Sequence, residues 1–224
     1  MLAQKIILYS HGFGVRKDDG GLFTDIATEL NGSQHVMFDF NQINVETNAI
    51  TVAPLDKQVE LLRLHYNAQR DKHPDAIIDL ICHSQGCVVA GLAKLQGIRK
   101  TILLAPPIRF LSAEAKLKQM LEREGTVVEY GVVSYPRKDG SKTIIKQDYW
   151  KSRDRVTDPI TLYNELSQNA ETILVNALND EVLGKTDYST ISNRICVIDL
   201  DANHDFTGES RQTLLKTIRN VLGE

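Results

Sequence analysis

The sequence predicts an α/β protein: a doubly wound, mostly parallel sheet of about six strands with helices on both faces. Three observations predict it. Short apolar, β-branched runs alternate with amphipathic runs of helical period, the rhythm of successive strand–helix–strand units. The strand candidates are apolar throughout, which fits a sheet buried on both faces. The residues that could carry chemistry follow strands, and such sheets collect their sites at the strands' carboxyl ends.

Residues 5–10 form the first predicted strand, and His11-Gly12-Phe13-Gly14 follows it. Residues 22–30 read as a helix and 36–40 as a strand. Residues 55–69 form a helix with Leu55, Val59, Leu62 and Tyr66 near one face, the spacing of a buried stripe. A strand at 76–82, a helix at 85–95 and a strand at 101–104 continue the alternation.

The rhythm breaks between Ile108 and about Thr157. There Ser112 is a cap candidate for a helix running to Glu124, striped by Leu117, Met120 and Leu121. Two β-rich runs, 126–133 and 143–150, flank the turn signal Lys138-Asp139-Gly140-Ser141 and predict a hairpin. We read 108–157 as a small lid over the strand tips, inserted into a single domain spanning 1–224. A helix at 161–168, strands at 172–175 and 194–200, and a helix at 210–222 complete the chain. No internal repeat or low-complexity segment occurs.

Composition narrows the function classes. A chain of 224 residues with 42% hydrophobic residues can bury one good core. A formal charge of −3 and no long basic run argue against nucleic acid or anionic membrane as the main partner. No apolar run approaches the roughly 18 residues of a membrane span. The start, Met1-Leu2-Ala3-Gln4-Lys5, lacks a separate signal peptide, so a cytoplasmic protein is expected. Cys82, Cys87 and Cys196 do not make a disulfide framework and are expected as buried free thiols.

The chemistry centres on Cys82-His83-Ser84-Gln85-Gly86, which lies between a predicted strand and a predicted helix. A serine there, with glycine two residues later, reads as a sharp turn that exposes the hydroxyl at the strand tip. The usual pattern has glycine two residues before the serine, where this chain has Cys82. A serine hydroxyl is a poor nucleophile at neutral pH and needs a base and a group to orient that base.

His83 adjoins the serine but points elsewhere in a tight turn, so it supports the elbow. His35, His65 and His73 read as surface or structural residues. His204 follows the last predicted strand and is the base by position. Asp180, after the strand at 172–175, is the acid candidate. Glu181, Asp187, Asp199, Asp201 and Asp205 compete with it, Asp187 and Asp199 foremost. A tetrahedral intermediate also needs two donors for its oxyanion. The backbone N–H groups of Phe13 and Gln85 are the candidates. No histidine and acidic cluster has zinc-ligand spacing, and Gly12 and Gly14 lack the third glycine of a dinucleotide loop. No metal or cofactor is expected.

With these residues in hand, the sequence resembles the α/β-hydrolase superfamily over nearly its whole length. The resemblance lies in the His11-Gly12-Phe13-Gly14 loop, the Ser84 elbow, Asp180 and His204, in that superfamily's order. It implies Ser84 as nucleophile, Asp180 as acid, His204 as base, and Phe13 and Gln85 as oxyanion donors. The chain departs from the pattern at Cys82, and in having one strand before the first loop where the superfamily usually has three. A helix-plus-hairpin lid is similar to the insert of small bacterial cinnamoyl or feruloyl esterases. Phe110, Tyr130, Tyr135, Tyr149 and Trp150 lie in that lid, as its own small core or as a wall for the substrate; Tyr130 and Trp150 are the candidate substrate contacts.

The expected activity is a serine esterase acting on a small-molecule carboxylic ester through an acyl-enzyme. The alternatives are a thioesterase, amidase or peptidase using the same groups, or a non-catalytic binding protein that kept the fold. A lid that also mediated homodimerisation would leave this chemistry unchanged.

Overall fold

The computed structural model describes residues 3–137 and 139–223. Met1 and Leu2 of the expected start, and Lys138 of the expected turn, lie outside the described residues. In chain order the elements are β1 (Lys5–Ser10), α1 (Leu22–Glu29), β2 (Gln34–Val36), β3 (Gln42–Asn44), β4 (Ala49–Val52), α2 (Leu55–Lys72), β5 (Ile77–His83) and α3 (Gln85–Ala93). There follow β6 (Lys100–Leu104), α4 (Ala113–Leu121), β7 (Val127–Glu129), β8 (Val132–Pro136), β9 (Lys142–Ile145) and α5 (Gln147–Arg153). The last are α6 (Pro159–Asn169), β10 (Glu171–Ala177), β11 (Ile195–Leu200) and α7 (Glu209–Leu222).

Among the described residues the main sheet has six strands in the order β11-β10-β6-β5-β1-β2, and every pair is parallel. Alternate side chains along β1 enter different cores, as the two-residue period of a strand requires. Ile6 and Leu8 pack with α2 and α3 residues such as Leu62 and Val88. Ile7 and Tyr9 pack with Phe23 of α1 and Leu214 and Ile218 of α7. A sheet covered on both faces explains why its strands read as continuous apolar runs. On the first face α3 presses against α6: a Cβ at Gly91 would lie 2.7 Å from Leu162 Cβ.

The expected strand at 36–40 stops early. The sheet keeps only Gln34–Val36, and the amide of Phe40 donates instead to His11 Nε2 at 2.9 Å. Cys196 is exposed, not buried. It stands on β11, the edge strand, much of whose surface is open.

The insert after β6 differs most from expectation. Ser112 does cap α4, accepting from the Ala115 amide at 3.2 Å. The run at 126–133 folds on itself, however, with Tyr130 at φ 50° and Gly131 at φ 77° forming the turn between β7 and β8. Two consecutive positive φ values suit a tight hairpin turn. The β8–β9 hairpin does form, but residues 147–150 begin α5 and are not strand. The second sheet runs β3-β4-β9-β8-β7. It is therefore not confined to 108–157, because β4 pairs in parallel with β9, Ala49 opposite Lys142 through Val52 opposite Ile145. Among the described residues no helix is long and apolar enough to cross a membrane.

Candidate active site

From β1 the chain winds outward to β2, then returns to β5 on the other side of β1. The loops after β1 and β5 diverge there, opening a crevice at the carboxyl ends. Ser84 sits at that point with φ 50° and ψ −123°, a region seldom occupied by non-glycine residues and costly to hold. Its amide donates to the Leu104 carbonyl at 2.9 Å, which ties the turn to β6. Gly86 makes the turn possible: a Cβ there would lie 2.0 Å from the Ser10 carbonyl oxygen. Cys82 is fully buried, and burial pushes its thiol well above its usual range, so it packs beneath the turn as a small side chain.

His204, in the loop after β11, places Nε2 2.9 Å from Ser84 Oγ and Nδ1 2.6 Å from Asp180 Oδ2. The other Asp180 oxygen accepts the amides of Val182 and Leu183 at 2.8 and 2.7 Å. Burial opposes the Asp180 charge, but the His204 bond and charge and these amides together hold its carboxyl below the usual range. An ionised carboxylate only accepts, so the proton on His204 is assigned to Nδ1, leaving the Nε2 lone pair toward Ser84. A hydroxyl so placed can pass its proton to the imidazole, and Asp180 can balance the charge that appears there. The rival acids are engaged elsewhere. Asp187 caps the Ser189 amide, Asp199 accepts from Asn176 and Asp201 from Asn179. Asp205 is exposed, and Glu181 accepts the His204 amide at 3.1 Å.

The loop after β1 is held from beneath. His11 Nε2 accepts from Phe40, so Nδ1 carries the proton and donates to the Gly12 carbonyl at 2.9 Å. Burial holds this imidazole below its usual range. The Gly12 amide donates to Asp19 Oδ2, which also accepts from His83 Nδ1, both at 2.9 Å. His83 Nε2 donates to the His204 carbonyl at 3.0 Å. With an acceptor at each nitrogen, His83 is held as an imidazolium. Burial works against that charge, but the Asp19 carboxylate, its hydrogen bond and the His204 carbonyl raise the group above its usual range. One buried ion pair thus joins the loops that carry Phe13, Ser84 and His204.

Comparison with protein-family models and with curated proteins finds no match to this sequence. Solved structures do match. Est1E from Butyrivibrio proteoclasticus, described with ferulic acid bound, superposes with a TM-score of 0.67 at 13% identity, covering 98% of this chain and 88% of that one. The Pyrococcus furiosus esterase Pf2001 gives 0.66 at 16%, covering 99% and 81%. The α/β hydrolase GrgF from Penicillium sp. sh18 gives 0.68 at 16%, covering 96% and 89%. This chain has the α/β-hydrolase fold.

Within that α/β-hydrolase fold, a cavity of about 410 Å³ opens above Ser84, between the strand tips and the insert. Phe13, Gln85 and Trp150 line it with Ser84. The Gln85 side chain accepts from Tyr149 Oη at 2.5 Å and donates to Gln58 at 3.1 Å, so the insert is fastened to the elbow. The Phe13 ring lies 5.3 Å from that of Tyr149. Tyr130, expected to contact substrate, does not line this cavity; it is fully exposed in the β7–β8 turn.

The expectation of no metal-like cluster meets one near miss: His83, His204 and Asp205 bring ligand atoms within 4.8 Å of one another. The bonds of His83 leave it no ring lone pair for an ion. Sequence reasoning missed Asp19, Glu181 as a backbone anchor, and the lining residues Arg109, Lys116 and Arg153. The Asp19-Gly20-Gly21 run was a visible turn signal for the first. Nothing local distinguishes the others.

Proposed function

We propose that this protein is a serine hydrolase acting on small carboxylic esters. The observation that carries this reading is the hydrogen-bonded line from Asp180 through His204 to Ser84, ending at a strained serine that faces a cavity. Ser84 Oγ attacks the ester carbonyl while its proton passes to His204 Nε2. The tetrahedral oxyanion is met by the backbone N–H groups of Phe13 and Gln85. Each such donor supplies about 3–4 kcal/mol of transition-state stabilisation. His204 then protonates the leaving alcohol, and the acyl group stays on Ser84. Water, deprotonated by His204, releases the acid and restores the hydroxyl. Residues 108–157, extended by β3 and β4, act as a lid that shapes the cavity. The aromatic acid bound by Est1E supports the ester reading, since this cavity also has aromatic walls.

The test is hydrolysis of short-chain 4-nitrophenyl esters, with fluorophosphonate labelling and mass mapping of the labelled residue. The label is expected on Ser84, and Ser84→Ala should abolish turnover while the protein stays folded. Turnover retained in that variant would overturn the proposal.

A further inference from the structure

Arg153 lies in the wall of the cavity above Ser84. It is 5% exposed, and its guanidinium makes no hydrogen bond with any described residue; Nη1 is buried without a partner. The nearest carboxylate, on half-exposed Asp154, stands 3.9 Å away, beyond hydrogen-bond reach. The group is held instead by rings: its central carbon lies 4.6 Å from the centroid of Phe110 and 5.8 Å from that of Trp150. Aromatic faces fix and partly stabilise a guanidinium but offer its edge donors no oxygen.

The rest of the wall adds positive charge. Lys116 and Arg109 line the cavity, and among the described residues Lys116 Nζ donates only to the neutral Gln119 amide, at 2.8 Å. Among the described lining residues the single acid is Glu181, whose carboxylate already receives the His204 amide. Burial pushes Arg153 down from its usual range. Burial does the same to Lys116, and the charges of Arg123 and Arg153 add to it. Asp154 offsets this only in part, because its half-exposed carboxylate stands 3.9 Å away and makes no hydrogen bond to the guanidinium. A buried cation so weakly compensated is costly, and a ligand that brings a hydrogen-bonded counter-charge lowers that cost.

We propose that the cavity takes an ester whose acyl or alcohol part ends in a carboxylate, and that Arg153, aided by Lys116, receives that carboxylate. This deepens the ester-hydrolase reading and rests on it. A carboxylate matches the guanidinium fork with two parallel hydrogen bonds and one unit of charge. The aromatic stack fixes the plane in which the fork presents itself.

The test compares esters that differ in one charge, with the full chain. The acyl-side pair is 4-nitrophenyl hydrogen suberate and its methyl ester. The alcohol-side pair is 3-acetoxybenzoate and its methyl ester. In one of the pairs the anionic member should show at least tenfold higher kcat/KM, a difference of about 1.4 kcal/mol. In Arg153→Met that ratio should fall to about one. A ratio does not depend on how much of the variant is folded. If Arg153→Met does not fold at all, Lys116→Gln should still lower the ratio about threefold.

Binding of suberate or benzoate to the Ser84→Ala protein, read by calorimetry, separates the two proposals. Carboxylate binding without any ester turnover would sink the hydrolase reading and keep the anion site. Ser84-dependent turnover with no charge preference and no carboxylate binding would sink the anion site alone. A phosphonate analogue preferred over the carboxylate would overturn the carboxylate assignment.

Discussion

Asp180→Asn tests the proposed line at its most constrained point. In the native chain Oδ1 holds the Val182 and Leu183 amides at 2.8 and 2.7 Å, while Oδ2 meets His204 Nδ1 at 2.6 Å. An asparagine has one oxygen. If that oxygen turned toward His204, two amides would lose their acceptor and face an NH₂ group, at about 1–3 kcal/mol each. The oxygen therefore stays with the amides, and the NH₂ group faces His204. The imidazole must then present a lone pair at Nδ1 and carry its proton on Nε2, where it donates to Ser84 Oγ. That is the wrong tautomer for taking the serine proton. Restoring the right one sets N–H against N–H, and a charge-assisted bond is lost as well; together these cost about 4–5 kcal/mol, or roughly 10³–10⁴ in rate. The assay is kcat/KM for 4-nitrophenyl acetate, with circular dichroism to show that the variant is folded. Asp187→Asn, at an exposed turn residue, is the control and should stay within about twofold of the native rate. Asp180→Asn activity above about a tenth of native would refute the reasoning, as would a larger loss in the control.

Gly86→Ala sets a Cβ 2.0 Å from the Ser10 oxygen and 2.7 Å from that of His11; the start of α3 must move, at about 3 kcal/mol or more in urea unfolding. An unfolding free energy within about 0.5 kcal/mol of native would show the contact to be relieved cheaply. Asp19→Asn removes the counter-charge of His83 and should cost about 3–5 kcal/mol where both groups are charged. The stability that His83 contributes is full below its ordinary 6.5 and is lost as pH rises through its raised folded value. That of Asp19 is full above its ordinary 3.8 and is lost as pH falls through its lowered folded value. The melting-temperature gap between native and variant should thus be widest between the ordinary values of the two groups, near pH 5, and shrink as pH rises through the raised folded value of His83; a constant gap would deny the ion pair. Cys196, exposed on β11, should react with a disulfide reagent in the folded protein, while buried Cys82 and Cys87, with thiols pushed up by burial, should react only on unfolding. Fast modification at Cys82 would contradict its packing role.

The main sheet was legible because its strands carry their own evidence. The apolar runs at β1, β5, β6 and β10 are bounded by turns, and α2 between them shows its period, whereas α3 is buried almost all round and reads as a continuous apolar run. The second sheet was not. Its strands are short, its Tyr130-Gly131 turn lies within what reads as one β run, and β4 finds its partner β9 almost a hundred residues away. Residues 147–150 were misread for a related reason: Tyr149 and Trp150 favour strands locally, but burial against the elbow and the cavity selects a helix.

The sequence by itself determined the order of the parts: Ser84, Asp180 and His204 each fall just after a strand, and a parallel sheet gathers strand ends at one edge whatever the details of packing. It also marked the tight turn, since Gly86 leaves room that no side chain could share. Only the tertiary structure decided what surrounds those residues. The Asp19–His83 pair, the Glu181 anchor on the His204 amide and the packing of Arg153 against Phe110 all join segments far apart in the chain. Burial of charge depends on which surfaces meet, and local residue pattern does not encode that.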